Sequence, residues 1–139
     1  MSNKKNIGLL FTVIVIFGSF LYGIISTQLV KNDLHKNGVI VGNVYLRDFD
    51  KGYRDKYYGF DCAFMLDSTV KELTKWSRAR SNIRKNVSAY IGHSFPGVYS
   101  RRYNRMELLM LPEDFAKYGL PYPDSLRWVD SLHKLDRRW

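Results

Sequence analysis

Lys56-Tyr57-Tyr58-Gly59-Phe60-Asp61-Cys62-Ala63-Phe64-Met65-Leu66 alternates apolar and mixed positions with a period of two. Tyr58, Phe60, Cys62, Phe64 and Leu66 share one face, while Tyr57, Gly59, Asp61, Ala63 and Met65 share the other. Successive side chains of a strand point to opposite sides, so this pattern predicts an antiparallel strand with one buried face. Upstream, Val39-Ile40-Val41-Gly42-Asn43-Val44-Tyr45-Leu46-Arg47 is rich in β-branched residues and predicts a first strand, with Ile40, Val44 and Leu46 on one face. Gly42 on that face predicts a bulge or a close backbone approach. Between the two runs, Asp48 to Asp55 holds the Asp and Gly of a turn, so the whole reads as a hairpin.

Downstream the signals weaken. Asp67 or Ser68 is a candidate cap for a short helix over Thr69 to about Arg80, where Val70, Leu73 and Trp76 or Ser77 give a thin apolar stripe; helix and irregular loop fit equally well. Val87 to Ile91 returns to a strand pattern, Gly92-His93-Ser94 breaks it, and Phe95 to Tyr99 forms a further short strand. Pro96 donates no backbone N–H, which predicts an edge or first position for that strand. Met106 to Leu111 is an apolar run expected to be a core strand. Pro112 to Gly119 has helix punctuation: Pro in the first turn, Glu113 and Asp114 near the positive end of the dipole, and Gly past the end. A last helix is expected after Pro121-Tyr122-Pro123, capped by Asp124 or Ser125, with Trp128, Leu132, Leu135 and Trp139 as the stripe that packs on the sheet.

The N-terminal part is of another kind. Ile7 to Val30 contains no charged side chain. As a helix its 24 residues extend about 36 Å, enough to cross a hydrocarbon core of about 30 Å. Ile7 to Ser26 holds 13 Leu, Ile, Val or Phe residues, which together favour insertion by about 4 to 8 kcal/mol before Gly8, Thr12, Gly18, Ser19 and Gly23 reduce it. A cleaved signal peptide is the alternative. Lys4 and Lys5 would supply its basic region, but no A-x-A-like site follows and Ile24-Ile25-Ser26 is a poor substitute. The organisation predicted is a basic flank over 1–6, a transmembrane helix over 7–30, a linker over 31–37 and an α+β domain over 38–139. The class is α+β: a transmembrane helix followed by a small antiparallel curved sheet or SH3-like barrel with two C-terminal helices. Lys4 and Lys5 before the span, set against Lys31 and Lys36 after it, lean toward an inside N-terminus and a periplasmic or external C-terminal domain.

Charge and chemistry bound the partners. Lys and Arg number 22 against 13 Asp and Glu, and every acid follows Ile7 to Val30 while only two basic residues precede it, so the part from Lys31 onward carries about +7. A surface of this sign attracts anions such as phospholipid headgroups or acidic glycans. The best candidate surface combines Arg78, Arg80, Arg84 and Lys85 with Arg101, Arg102, Tyr103 and Arg105. Nucleic acid is a poor fit for a chain tethered to a membrane. The single cysteine, Cys62, excludes an intramolecular disulfide and falls on the buried face of its strand. His35, His93 and His133 lack metal-ligand spacing, so no metal or cofactor is expected. Gly92-His93-Ser94-Phe95 is not a nucleophile elbow, and a hydrolase would need a base and an acid converging on Ser94.

The run Tyr90-Ile91-Gly92-His93-Ser94-Phe95-Pro96-Gly97-Val98-Tyr99-Ser100, with Leu111-Pro112-Glu113-Asp114-Phe115 and Tyr122-Pro123-Asp124-Ser125-Leu126, resembles small membrane-anchored proteins of Bacteroidetes-type bacteria over about residues 38–130. Those proteins carry a G-x-S/T-F/I-P-V-x-Y run between a hairpin and an apolar strand, and Gly97 stands where they tend to have a β-branched residue. The resemblance implies an envelope location and a comparable fold, and it transfers no functional residue. Together these readings lead to the expectation of a membrane-tethered, non-enzymatic interaction or accessory module of the cell envelope. An anionic lipid- or glycan-binding domain and a cryptic hydrolase using His93 and Ser94 are the alternatives.

Overall fold

The computed structural model describes residues 2–51, 58–78 and 87–136; for 2–5, 50, 51, 58, 75–78 and 136 it describes the backbone alone. Helix α1, Ser2–Asn37, leads into strands β1 (Val39–Lys51), β2 (Tyr58–Leu66) and β3 (Thr69–Arg78). A 3-10 turn at Val87–Tyr90 precedes β4 (Ser94–Ser100) and β5 (Arg105–Leu108), and the chain closes with α2 (Pro112–Lys117), a 3-10 turn at Asp124–Leu126, and α3 (Arg127–Asp136). The five strands form a closed barrel in the order β1-β2-β3-β5-β4. Every seam is antiparallel except the short one between β3 and β5, which pairs Ser77 with Met106 and Arg78 with Glu107 in parallel. The class is the α+β expected, with an apolar N-terminal helix, a strongly curved small sheet and short C-terminal helices.

Curvature comes from β1. It pairs with β4 through its first half and with β2 through its second, and the ladder shifts between Val41 and Val44 and again between Leu46 and Asp48. Gly42 and Asn43 bulge outward at the first shift, as the glycine predicted. The extra residue moves the inward face from Val41 to Val44 and Leu46, so Val41 is buried and Ile40 is exposed. The expected face of Ile40, Val44 and Leu46 is thus corrected at its first member. β2 keeps its period of two: Phe60, Cys62, Phe64 and Leu66 are all buried.

Thr69 to Arg78 is neither helix nor loop but β3, and Asp67 and Ser68 cap nothing. Leu66 pairs directly with Thr69, which leaves a two-residue connection. Asp67 and Ser68 both have positive φ, 50° and 62°, as a type I′ hairpin turn requires. The turn was hard to read because Ser seldom enters that region. Ser68→Gly relieves the strain, and we expect it to stabilise the protein by about 0.5–1 kcal/mol and raise the unfolding midpoint by about 2–6 °C. A thermal melt showing an unchanged or lower midpoint would contradict the turn assignment.

Val87 to Ile91 is also not a strand. At three residues per turn, the 3-10 turn puts Val87 and Tyr90 on one side, and both are buried. Tyr90 meets Phe95 edge-on, with ring centres 6.1 Å apart. Pro96 lies neither at an edge nor first in β4, which runs between β1 and β5. It sits opposite the first bulge of β1, where no ladder bond is asked of its nitrogen, and its carbonyl accepts from the N–H of Leu109 at 2.8 Å. Of the apolar run Met106 to Leu111, only Met106 to Leu108 stays in the sheet; Leu109, Met110 and Leu111 leave it fully buried and lead into α2.

The Asp114 carboxylate accepts from the backbone N–H groups of Met110 and Leu111, at 3.1 and 3.0 Å, and so fixes the entry to α2. At the other end, Gly119 donates to Ala116 and Leu120 donates to Phe115, which closes the helix. The last helix keeps part of the expected stripe: Leu132 packs against the core, and the Trp128 ring centre lies 5.8 Å from that of Tyr90 and 6.2 Å from that of Phe95. The deepest positions are nevertheless Leu126, Val129 and His133, and the stripe is corrected at Leu135, which is 54% exposed. Pro123 precedes the 3-10 turn with no side-chain cap, and this turn rotates the helix relative to the face expected from Asp124 or Ser125 as cap. Trp139 lies outside the described residues.

Candidate functional site

Helix α1 is unbroken from the apolar segment to the first strand. It is long and apolar enough to cross a membrane, and its apolar side chains from Ile7 to Ile25 are exposed. The expected linker over 31–37 is therefore corrected: these residues are the last two turns of the same helix, and they are docked. Leu34 and Asp33 are buried against the barrel and Val30 is half-buried. The Ser100 hydroxyl donates to Asp33 Oδ2, and Asn37 Nδ2 donates to Asp33 Oδ1 at 3.0 Å. Ser100 Oγ in turn accepts the backbone N–H of Tyr103 at 3.1 Å, so one hydroxyl ties the helix to the β4–β5 turn. Gly38 makes the junction: its N–H donates to the Leu34 carbonyl at 3.2 Å, and a Cβ there would overlap that oxygen and Val98 Cγ1.

Beside the junction lies a groove of about 960 Å³. Tyr22, Ile25, Leu29 and Lys31 of α1 line it on one side, with Tyr103 of the β4–β5 turn and Arg105 at the start of β5 also in the lining. Glu107, Glu113 and Asp114 also line it. Asp114 is taken up by its two backbone donors. Glu107 accepts from Lys117 Nζ at 2.8 Å and from the Tyr118 hydroxyl at 2.6 Å. Burial, together with that carboxylate, pushes the Tyr118 phenol far above its ordinary value. Burial likewise pushes the Tyr122 phenol up to about 12, and its hydroxyl donates to the Leu126 carbonyl at 2.6 Å. Both phenols are fixed donors at neutral pH rather than acid–base groups.

The candidate binding residues fall into two sets. Arg101, Arg102 and Tyr103 occupy the β4–β5 turn and Arg105 opens β5, so these four sit together beside the end of α1. Arg101 reaches across to the β2–β3 turn, where it grips both oxygens of Asp67 and holds that carboxyl below the usual range. The Arg102 guanidinium lies 5.4 Å from the Tyr103 ring centre. Arg78 ends β3 with its backbone opposite Glu107, which brings that strand end to β5. Arg80, Arg84 and Lys85 lie outside the described residues. The sequence hides the side supplied by α1, because Tyr22, Ile25 and Leu29 read as membrane span and Lys31 as linker.

His93 and Ser94 are both exposed at the start of β4. The His93 ring lies 5.0 Å from that of Trp128, and neither residue lines the groove. Among the described residues, no three of His, Cys, Asp and Glu converge to hold a metal ion. Cys62 is buried in the barrel. No family model, curated protein or solved structure matches this chain.

Proposed function

We propose that this chain is a membrane-tethered, non-enzymatic interaction or accessory module of the bacterial cell envelope, crossing the bilayer once through residues 7–30. The observation that carries the reading is the continuity of α1, which passes from an exposed apolar segment directly into the wall of the barrel. An isolated helix with such a surface is unstable in water, and a bilayer covers it. A docked stalk, unlike a flexible linker, holds the barrel at one height and one orientation above the membrane. That suits a module presenting a fixed surface to a partner. The resemblance over residues 38–130 to small envelope proteins supports the same location, and the balance of Lys4 and Lys5 against the residues after the span favours a periplasmic or external barrel. The hydrolase reading gains no support, since His93 faces an indole rather than a carboxylate.

Alkaline carbonate extraction tests the tether. The full-length protein is expected to stay in the membrane pellet, and a C-terminal alkaline phosphatase fusion is expected to be active where a fluorescent-protein fusion is dark. Release into the supernatant, or a mature chain beginning near residue 27, would overturn the reading.

A further inference from the structure

We propose that one end of the barrel rests in the headgroup layer of the bilayer, with Tyr103 of the β4–β5 turn and Met65 and Val70 beside the β2–β3 turn as its lipid contacts. This placement rests on α1 being a membrane span, and it adds the depth and the face at which the barrel is held. The direction of β4 decides which end points down. Val98 lies at the top of the helix, where a Cβ on Gly38 would meet it, and Ser100, two residues on, bonds to Asp33. β4 thus descends along α1 as the helix rises, and the turn that follows points back toward the apolar segment. Tyr103 in that turn lines the same groove as Tyr22, Ile25 and Leu29.

The height follows from the rise of a helix. Asp33 is three residues beyond Val30, where the uncharged segment ends, which is about 4.5 Å along the axis. The polar layer on each side of a bilayer is about 5–8 Å thick. Ser100 therefore stands at headgroup depth and the turn beyond it at the same depth or lower, where an amphipathic tyrosine ring is at home. Arg101 ties the β2–β3 turn to the same end by gripping both oxygens of Asp67. Met65 and Val70 flank that turn as a facing pair on the outside of the barrel, 56% and 61% exposed. An apolar pair at this depth is covered by the headgroup and acyl boundary instead of by water. Arg101 is already paired, so apolar contact rather than attraction to anionic heads holds this end down, and a zwitterionic bilayer suffices.

The test places nitroxide labels on the full-length protein in nanodiscs of palmitoyloleoylphosphatidylcholine. It reads their collisions with oxygen, which concentrates in lipid, against those with a water-soluble nickel chelate. Cys62 is buried and does not compete for the label. Labels at Tyr103→Cys, Met65→Cys, Val70→Cys and Ser68→Cys are expected to favour oxygen. A label at Ser94→Cys, at the other end of β4 and about 20 Å away, is expected to favour the chelate. Ile14→Cys, within the apolar segment, reports the span itself. Met65→Glu with Val70→Glu puts carboxylates into the contact, and the Ser68 label is expected to lose its oxygen preference in that background. Thermal melts show that each variant is folded. Chelate preference at Tyr103, Met65 and Val70 with oxygen preference at Ile14 would overturn the contact and leave the tether standing. Oxygen preference at Ser94 as well, or a Ser68 label indifferent to the two glutamates, would overturn this end as the contact face. Chelate preference at every position, Ile14 included, would overturn both tether and contact.

Discussion

Gly38→Ala is expected to lower the unfolding midpoint of the full-length protein in detergent by about 8–16 °C, corresponding to about 2 kcal/mol. A methyl group at this position would occupy the space of the Leu34 carbonyl oxygen and of Val98 Cγ1. The first is backbone, so the end of α1 must move rather than a side-chain tip. Movement of that turn stretches the Gly38–Leu34 hydrogen bond and draws Asp33 away from Ser100. It also opens the contact of buried Leu34 with the barrel. A second readout separates loss of docking from general damage. Spin labels on Leu29 and Arg105 should give a narrow distance distribution in the parent and a broad one in the variant. Gly42→Ala is the control, because a Cβ there meets nothing within 4 Å, and it should change the midpoint by about 2 °C or less. Equal effects at the two glycines would show that the helix is not held by this junction.

Gly97→Val should be at least as damaging, at about 2–4 kcal/mol, and the cause lies inside the barrel rather than at its mouth. Gly97 is buried in β4 with Val41 opposite on one side and Leu108 on the other. A Cβ would lie 2.5 Å from Met106 Sδ and 3.2 Å from both Val44 Cγ2 and the Glu107 carbonyl. Met106 fills the space that a larger residue at position 97 would take. Met106→Ala alone should destabilise by about 2–4 kcal/mol through the cavity it leaves. Combining it with Gly97→Val should recover a large part of both losses, because neighbouring residues that share one space do not act additively. A chemical-denaturation cycle measures this directly. Simple addition of the two losses would mean that Met106 and position 97 do not compete for the same volume.

How much of the molecule was legible in sequence follows from the range of the forces involved. The apolar span, the alternation of β2 and the boundaries of α2 each depend on neighbours within a turn or two, and each reads correctly from composition and spacing. Residues Thr69 to Arg78 do not. Only Leu73 points firmly inward among those whose burial is described, so the period of two is invisible until β2 and β5 lie on either side of the strand. The turn at Asp67 and Ser68 hid for a related reason, since its positive φ angles are imposed by the strands that it joins.

The candidate site divides in the same way. Arg101, Arg102, Tyr103 and Arg105 read as one basic cluster because they are adjacent in sequence. Their neighbours Tyr22, Ile25, Leu29 and Lys31 are some 70 or more residues earlier and were assigned to a span and a linker. By itself the sequence determined an apolar helix of membrane-crossing length, an α+β class and a basic surface, because hydrophobicity, local periodicity and net charge add up residue by residue. Only the tertiary structure decided that the helix continues to Asn37 and docks, that β1 coils into a closed barrel, and that a groove lies between them. Those outcomes depend on the pairing of distant segments, as when Ser100 meets Asp33 and Val98 crowds Gly38, and no window of neighbouring residues contains both partners.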